Sequence, residues 1–138
     1  MWRHEHTAET PLAPEAVWNV LKDLDTWPRW DTSMETVTLH GPFAVGSRVT
    51  MKPIGQEPIT SVITAITERE LYADETDLGD VILRFSHTLT RLADGGTRIT
   101  HRLEITGPKA YELGPELGPA ITADFPEAMQ ALLAYAAA

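Results

Sequence analysis

The pattern of hydrophobic and polar positions changes its period twice along the chain. Residues 2–10 contain no turn residue and predict a first strand, although its pattern is polar. From Pro14 onward apolar positions recur at helical spacing, which predicts a short amphipathic helix. Residues 25–31 cannot continue this helix smoothly through Pro28, so a second short helical turn is expected there. The apolar positions of the first helix are Val17, Trp18, Leu21 and Leu24.

The middle of the chain predicts six further strands in series. Short segments with Gly, Pro and Asp separate them, as is typical of turns. The predicted strands cover residues 35–40, 46–53, 58–69, 71–77, 81–92 and 97–106. Because the links are short, we expect an antiparallel sheet of seven strands that twists and needs a cover on its apolar face.

The last part of the chain predicts one long helix that supplies this cover. An apolar stripe at helical spacing runs through residues 119–136, and Pro126 is expected to kink the helix or to mark its true start. The preceding residues 107–119 are expected to form a loop or a broken helical turn, because they contain Gly114, Pro115, Gly118 and Pro119. The predicted fold class is therefore α+β.

The strands at 81–92 and 97–106 can be assigned inner and outer faces, because alternate side chains of a strand share one face. The odd positions of both strands are apolar, and they include His87 and His101. A three-residue loop over 93–95, with Gly in the left-handed position, matches the apolar faces and sets the two histidines directly opposite each other.

Composition narrows the classes of function. The chain has 138 residues, 43% hydrophobic and 22% charged, as expected for an ordinary globular protein. The formal net charge of −9 disfavours binding to nucleic acid or to anionic membrane surfaces. The absence of cysteine excludes disulfides, thiolate nucleophiles and Cys-based metal sites. Neither a signal-peptide core nor a membrane-spanning apolar run is present, so the cytoplasm is the expected location.

Several local phrases resemble signatures of the START/Bet v 1-like superfamily, in particular its bacterial polyketide cyclase/dehydrase branch. They are Ala-Pro-Glu-Ala-Val-Trp at 13–18, Trp-Pro-Arg-Trp-Asp at 27–31, Gly46-Ser47 before a strand, and Asp-Gly-Gly-Thr-Arg at 94–98. The resemblance covers essentially the whole chain. It implies the helix-grip fold, in which a curved seven-stranded antiparallel sheet wraps around a long C-terminal helix, with two short helices after the first strand. It also implies an internal cavity for a hydrophobic molecule, but the identity of that molecule varies among cyclases, lipid carriers and hormone receptors.

Four of the five histidines are predicted to share one wall of this cavity. Alternation places His4 and His6 inward, and the family topology, which pairs the first strand with the last, brings them near His101. Three interpretations stay open. The imidazoles are core or rim groups satisfied by backbone, water or Tyr72, or polar anchors and general acid/base groups, or ligands of a metal. No His-Glu-x-x-His signature supports a metal, so we predict none and assign the polar or catalytic role to His87 and His101.

Further ligand-binding residues are expected on the same inner faces and on the closing helix, although such apolar stripes are also typical of a plain core. The predicted set is His4, His6, Trp30, Met51, Tyr72, Leu83, Phe85, Leu103, Phe125 and Met129. Trp18, Trp27 and Trp30 are expected to pack the short helices, with ligand stacking as the alternative. Asp74 shares a strand face with Tyr72, but the orientation of that strand stays open.

We therefore expect one domain over residues 1–138 that binds a small aromatic or lipid-like molecule. The first alternative is a polyketide cyclase or aromatase, in which a histidine promotes enolisation before aldol closure and loss of water. The second is an interaction domain with a vestigial cavity filled by side chains. No phosphate-binding loop, dinucleotide fingerprint or nucleophile elbow occurs. We expect no cofactor, no nucleic acid and no membrane insertion, and the expected assembly is a monomer or weak homodimer.

Overall fold

Seven strands and four helical segments make up the chain in a computed structural model that covers residues 1–138. The strands are β1 (Trp2–Thr10), β2 (Met34–His40), β3 (Arg48–Pro53), β4 (Ile59–Thr67), β5 (Leu71–Asp77), β6 (Ile82–Arg91) and β7 (Thr97–Thr106). The helices are α1 (Pro14–Leu21), a 3-10 helix (Leu24–Arg29), α2 (Ala110–Thr122) and α3 (Phe125–Ala137). The predicted α+β class with a seven-stranded sheet is confirmed.

All seven strands form one antiparallel sheet in the order β1-β7-β6-β5-β4-β3-β2. The first strand therefore pairs with the last one, and β1 and β2 are the edge strands. The predicted register of the β6–β7 hairpin is confirmed, because His87 lies opposite His101 and Gly95 has a φ of 89°. On the other side of β7, His6 of β1 lies opposite His101.

The helical region at the end of the chain differs from the single long helix that the sequence predicts. The expected loop over 107–119 is wrong, because most of these residues belong to α2. The second helix begins at Phe125 with Pro126 in its first turn, so this proline marks a helix start, which is one of its two predicted outcomes. Two consecutive helices therefore cover the sheet.

Packing against β1 explains why a segment rich in Gly and Pro is helical. Gly114 and Gly118 lie one helical turn apart, are buried, and face the side chain of Trp2. A Cβ atom at either glycine would overlap Trp2, so the helix needs glycine at both positions to approach the strand this closely. Pro115 and Pro119 lie on the exposed side of α2. Tertiary contact thus outweighs low intrinsic helix propensity.

The buried apolar side chains form two clusters on the inner face of the sheet. The larger contains 14 residues, contributed mainly by α1, the 3-10 helix, α3 and the strands β2 to β7. The smaller contains 6 residues, among them Leu103 and Ile105 of β7, Ala110 of α2 and Phe125 of α3. Each large side chain that is removed from water contributes about 1.5–3 kcal/mol to stability. None of the helices is long and apolar enough to cross a membrane.

Candidate ligand-binding site

A cavity of about 600 Å³ lies between the inner face of the sheet and the helices α2 and α3. Of its 24 lining residues 13 are hydrophobic, so its wall is mixed rather than purely apolar. Ile54 and Leu78 line it and are 63% and 51% exposed, which identifies its opening to solvent. A separate depression beside β1 and β7 has no hydrophobic lining residue and does not suit an apolar ligand.

Seven of the predicted site residues line this cavity: His87, His101, Trp30, Met51, Leu83, Phe85 and Phe125. They come from the end of the 3-10 helix, from β3, β6 and β7, and from the start of α3. The period-two pattern of β6 places Leu83, Phe85 and His87 on one face, as the alternation predicts. Asp74 of β5 also lines the cavity, so the even face of that strand points inward.

The structure does not bring the other five predicted residues to the cavity wall. His4 is exposed and His6 is half-buried on the edge strand β1, and neither lines the cavity. The remaining three residues, Tyr72, Leu103 and Met129, are buried in the two apolar clusters.

A continuous stack of flat side chains forms one part of the wall. The ring centroids of His87 and His101 are 4.0 Å apart with planes inclined by 20°. His101 stacks in turn on Phe125 at 4.0 Å and 15°. Trp27 meets the other side of His87 edge-on at 5.8 Å. The hairpin register supplies the first pair, and the start of α3 supplies Phe125.

The environment of the stack keeps both imidazoles neutral. Burial lowers the pKa of His87 to about 4, since no carboxylate pairs with its ring. The pKa of His101 lies well below 6.5, mainly because of burial and then because of the neighbouring imidazoles of His87 and His6. At neutral pH the pair therefore offers hydrogen-bonding nitrogens without a positive charge.

Asp74 places a carboxyl group in the same wall. It is 1% exposed, and the hydroxyl of Tyr72 donates a hydrogen bond of 2.8 Å to its Oδ2. Burial raises the pKa of Asp74 to about 7, although the bond from Tyr72 acts in the opposite direction. Burial, and then the charge of Asp74, raises the pKa of Tyr72, which keeps the phenol protonated as a donor.

Sequence reasoning missed two further carboxyl groups at the cavity, those of Asp31 and Asp124. Asp31 accepts bonds from the backbone N–H and the hydroxyl of Ser33, at 3.1 and 2.6 Å. Burial, and then the charge of Asp31, raises the pKa of Asp124. Both had a signal, because Asp31 ends the Trp-Pro-Arg-Trp-Asp phrase and Asp124 precedes the helix start that Pro126 marks. Trp27, expected to pack the short helices with ligand stacking as the alternative, also lines the cavity.

Unpaired polar atoms concentrate at this cavity. Four buried side-chain polar atoms have no hydrogen-bond partner within the protein, and three of them belong to cavity residues: Trp30 Nε1, Asp74 Oδ1 and His87 Nδ1. A buried polar atom without a partner costs about 1–3 kcal/mol, so a protein keeps it where something else supplies the partner. The chain contains no group of three or more His, Cys, Asp or Glu side chains arranged to hold a metal ion.

An antiparallel seven-stranded sheet that holds C-terminal helices across its inner face defines the Bet v 1-like helix-grip class of proteins. Within this class the chain belongs to the family described as polyketide cyclase/dehydrase and lipid transport, whose model matches residues 1–137. The resemblance drawn from the local phrases is therefore confirmed. A search of curated proteins found no match.

Solved structures with low sequence identity share this fold. Ara h 8.0201 superposes with a TM-score of 0.75 at 17% identity, covering 97% of this chain and 96% of that chain. Norcoclaurine synthase from Thalictrum flavum in complex with dopamine and hydroxybenzaldehyde gives 0.75 at 14% identity, covering 96% and 84%. The protein TTHA0849 from Thermus thermophilus gives 0.74 at 14% identity, covering 97% and 96%. At such identities the likeness concerns the fold.

Proposed function

We propose that this protein binds a small, flat hydrophobic molecule, aromatic and polyketide-like or lipid-like, in the cavity between the sheet and α2–α3. The stack of Phe125, His101 and His87 carries this proposal, because all three rings line the cavity and form an aromatic wall against which a further aromatic ring can pack. His87 and His101 supply polar groups that orient the ligand.

Two other observations support a binder. The cavity volume of about 600 Å³ lies within the range of about 300–1,000 Å³ that is typical of small-molecule sites. The family description names polyketide cyclases and lipid transport, and one structural relative is described in complex with two small aromatic compounds. A vestigial cavity filled by side chains is not supported by a space of this volume.

Native mass spectrometry of protein purified from its host, followed by extraction, tests the proposal. We expect a stoichiometric small molecule with ultraviolet absorption typical of conjugated rings. His87→Ala should keep the circular dichroism spectrum of the wild type and lose most of the bound molecule, since the stack loses one of its three rings and the wall loses a polar group. Glu57→Gln, in the exposed loop between β3 and β4, is the matched control and should retain it. Full occupancy in His87→Ala would remove the role given to the histidines.

A polyketide cyclase is the second candidate, favoured by the presence of proton-exchanging groups at an apolar cavity. In this function a pocket histidine takes a proton from a carbon beside a ketone, and the enolate carbon bonds to a second carbonyl carbon. The histidinium returns the proton to the new alkoxide, and the resulting hydroxyl then leaves as water together with a second hydrogen from the adjacent carbon. The lowered pKa of His87 makes it a weak base, which is why this candidate ranks second. If the extracted molecule loses the mass of one water on incubation with fresh protein, the enzyme is favoured over the carrier.

A further inference from the structure

We propose that the polar end of the ligand is a hydrogen-bond donor without negative charge, such as a phenol or an amine, that it binds to Asp74, and that the cavity rejects carboxylates. This inference rests on the proposed function, because it concerns the ligand of the same cavity. Two independent observations carry it, the charges of the wall and the unpaired oxygen of Asp74.

The cavity wall contains carboxyl groups and no positive side chain. Asp31, Asp74 and Asp124 line it, whereas neither Lys nor Arg occurs among its 24 lining residues, although the chain has 11 of them. The two histidines of the wall are neutral because burial lowers their pKa values. A ligand carboxylate would therefore lose its hydration without gaining a counter-charge, and this loss is costly in a buried site.

The carboxyl group of Asp74 has one oxygen engaged and one free. Tyr72 donates to Oδ2, whereas Oδ1 is buried and has no partner in the protein. Because Tyr72 is 0% exposed and its phenol stays protonated, the engaged oxygen is fixed and Oδ1 is left for the ligand. A donor on the ligand completes the hydrogen bonding of this carboxyl group, and a donor to an ionised acceptor makes a strong bond.

Trp30 and His87 also carry buried polar atoms without partners, which could bind a second polar group of the ligand. The indole Nε1 of Trp30 is a donor without a partner, and the neutral ring of His87 has an unpaired Nδ1. A hydroxyl group both donates and accepts, so a hydroxylated aromatic molecule satisfies either kind of atom. An aliphatic chain without polar substituents would leave all three atoms unpaired.

Three probes with one naphthalene body separate the effect of the polar group from that of the ring: 2-naphthol, 2-naphthylmethylamine and 2-naphthoate. We measure their affinities for the full chain by isothermal titration calorimetry at about pH 8, where Asp74 is ionised. The naphthol and the amine should bind, and the naphthoate should bind at least roughly tenfold more weakly, which corresponds to about 1.4 kcal/mol. Equal affinity for all three overturns this inference and leaves the proposed function standing, whereas no binding by any of them counts against both.

Asp74→Asn tests whether this carboxyl group is the cause of the preference. The variant should lose roughly tenfold in affinity for the amine and should bind the naphthoate better than the wild type does. Glu75→Gln is the matched control, because it removes the neighbouring charge on the opposite face of the same strand and does not line the cavity. An unchanged ranking of the probes in Asp74→Asn contradicts the assignment.

A measurement on the wild type alone covers the case in which Asp74→Asn does not fold. The amine stays cationic between about pH 6 and about pH 8, so a change in its affinity over this range reports the protein. Affinity should rise with pH as Asp74 ionises. The neutral His87 and His101 on the facing strands do not gain a positive charge over this range. Asp124 is the other wall carboxyl with a raised pKa, so the rise in affinity should persist in Asp124→Asn. A pH-independent affinity overturns the role of Asp74.

Discussion

Asp74 should give the stability of the folded protein an unusual dependence on pH. Burial raises its pKa to about 7 from an ordinary value of 3.8, so the folded chain holds a proton that the unfolded chain releases. Its contribution to stability is complete below the unfolded pKa and is lost as the pH rises through about 7. As the pH is raised from about 4 to about 8, the free energy of unfolding of the wild type should therefore fall relative to that of Asp74→Asn. The difference should be on the order of 1 kcal/mol or more.

Urea unfolding of both proteins at several pH values measures this difference. His87 and His101 act in the opposite direction, because their lowered pKa values make folding less favourable as the pH falls below their ordinary value of 6.5. Both histidines are present in both proteins, so they largely cancel in the difference. Glu57→Gln, an exposed carboxyl change, should run parallel to the wild type. If Asp74→Asn also runs parallel, the raised pKa is contradicted.

At the residue level, the sequence predicts which side chains share a face and not how each one is paired. Alternation along β6 is strong enough to place His87 and Phe85 inward. Residues 71–77 are mostly polar, so no apolar alternation fixes which face of β5 is inner. The bond from Tyr72 to Asp74 is local, but its burial depends on strands on both sides of β5.

Among the secondary-structure elements, the packing of α2 on Trp2 yields a test in which a normally helpful substitution is harmful. Replacing a helical Gly by Ala usually stabilises by up to about 1 kcal/mol. Gly118→Ala should instead cost about 1–3 kcal/mol, because its Cβ overlaps the ring of Trp2. Thermal unfolding followed by circular dichroism measures the effect.

The same substitution in a Trp2→Ala background provides the control. There the space above Gly118 is empty, so Gly118→Ala should be neutral or stabilising relative to Trp2→Ala alone. A stabilising Gly118→Ala in the wild-type background would be inconsistent with the close approach of α2 to β1.

The β6–β7 hairpin and the helix α2 differ in how far the local sequence determines their structure. The β6–β7 hairpin is predictable to the residue, because two apolar faces and a left-handed Gly95 agree on one register. The helix α2 is not, because Gly and Pro are locally unfavourable and its helicity depends on Trp2 at the far end of the chain. Elements held by distant contacts escape a local pattern.

For the molecule as a whole, the net charge of −9 limits the membrane surfaces from which the protein could take up a hydrophobic ligand. We expect the protein not to co-sediment with vesicles of mixed phosphatidylcholine and phosphatidylserine, because it is repelled by the anionic surface. Adding salt should not reduce the little that is bound. Salt-sensitive binding to these vesicles, absent with phosphatidylcholine alone, would reveal a basic surface that the charge balance does not suggest.

Most of the sheet, the short helix α1 and the closing helix α3 follow from hydrophobic periodicity, whereas α2 does not, so most of the fold could be read from the chain. The composition of the cavity wall could not be predicted from the sequence in the same way. Asp31 and Asp124 lie in short connections without a repeating pattern, and only the packing of the helices on the sheet brings both to the cavity wall. Fewer histidines line the cavity than the sequence predicts, because His4 lies exposed on the edge strand β1.

Because the chain breaks between α2 and α3, two separate helices cover the cavity. α3 packs on α1 and makes a smaller contact with β1, whereas α2 packs on β1 and β7, so the two helices differ in their main support. Ile121 of α2 and Ala128 of α3 both line the cavity. Larger or smaller side chains on the cavity side of α2 should therefore change the size of the ligand that the cavity accommodates. The aromatic stack should be kept, because Phe125 belongs to α3.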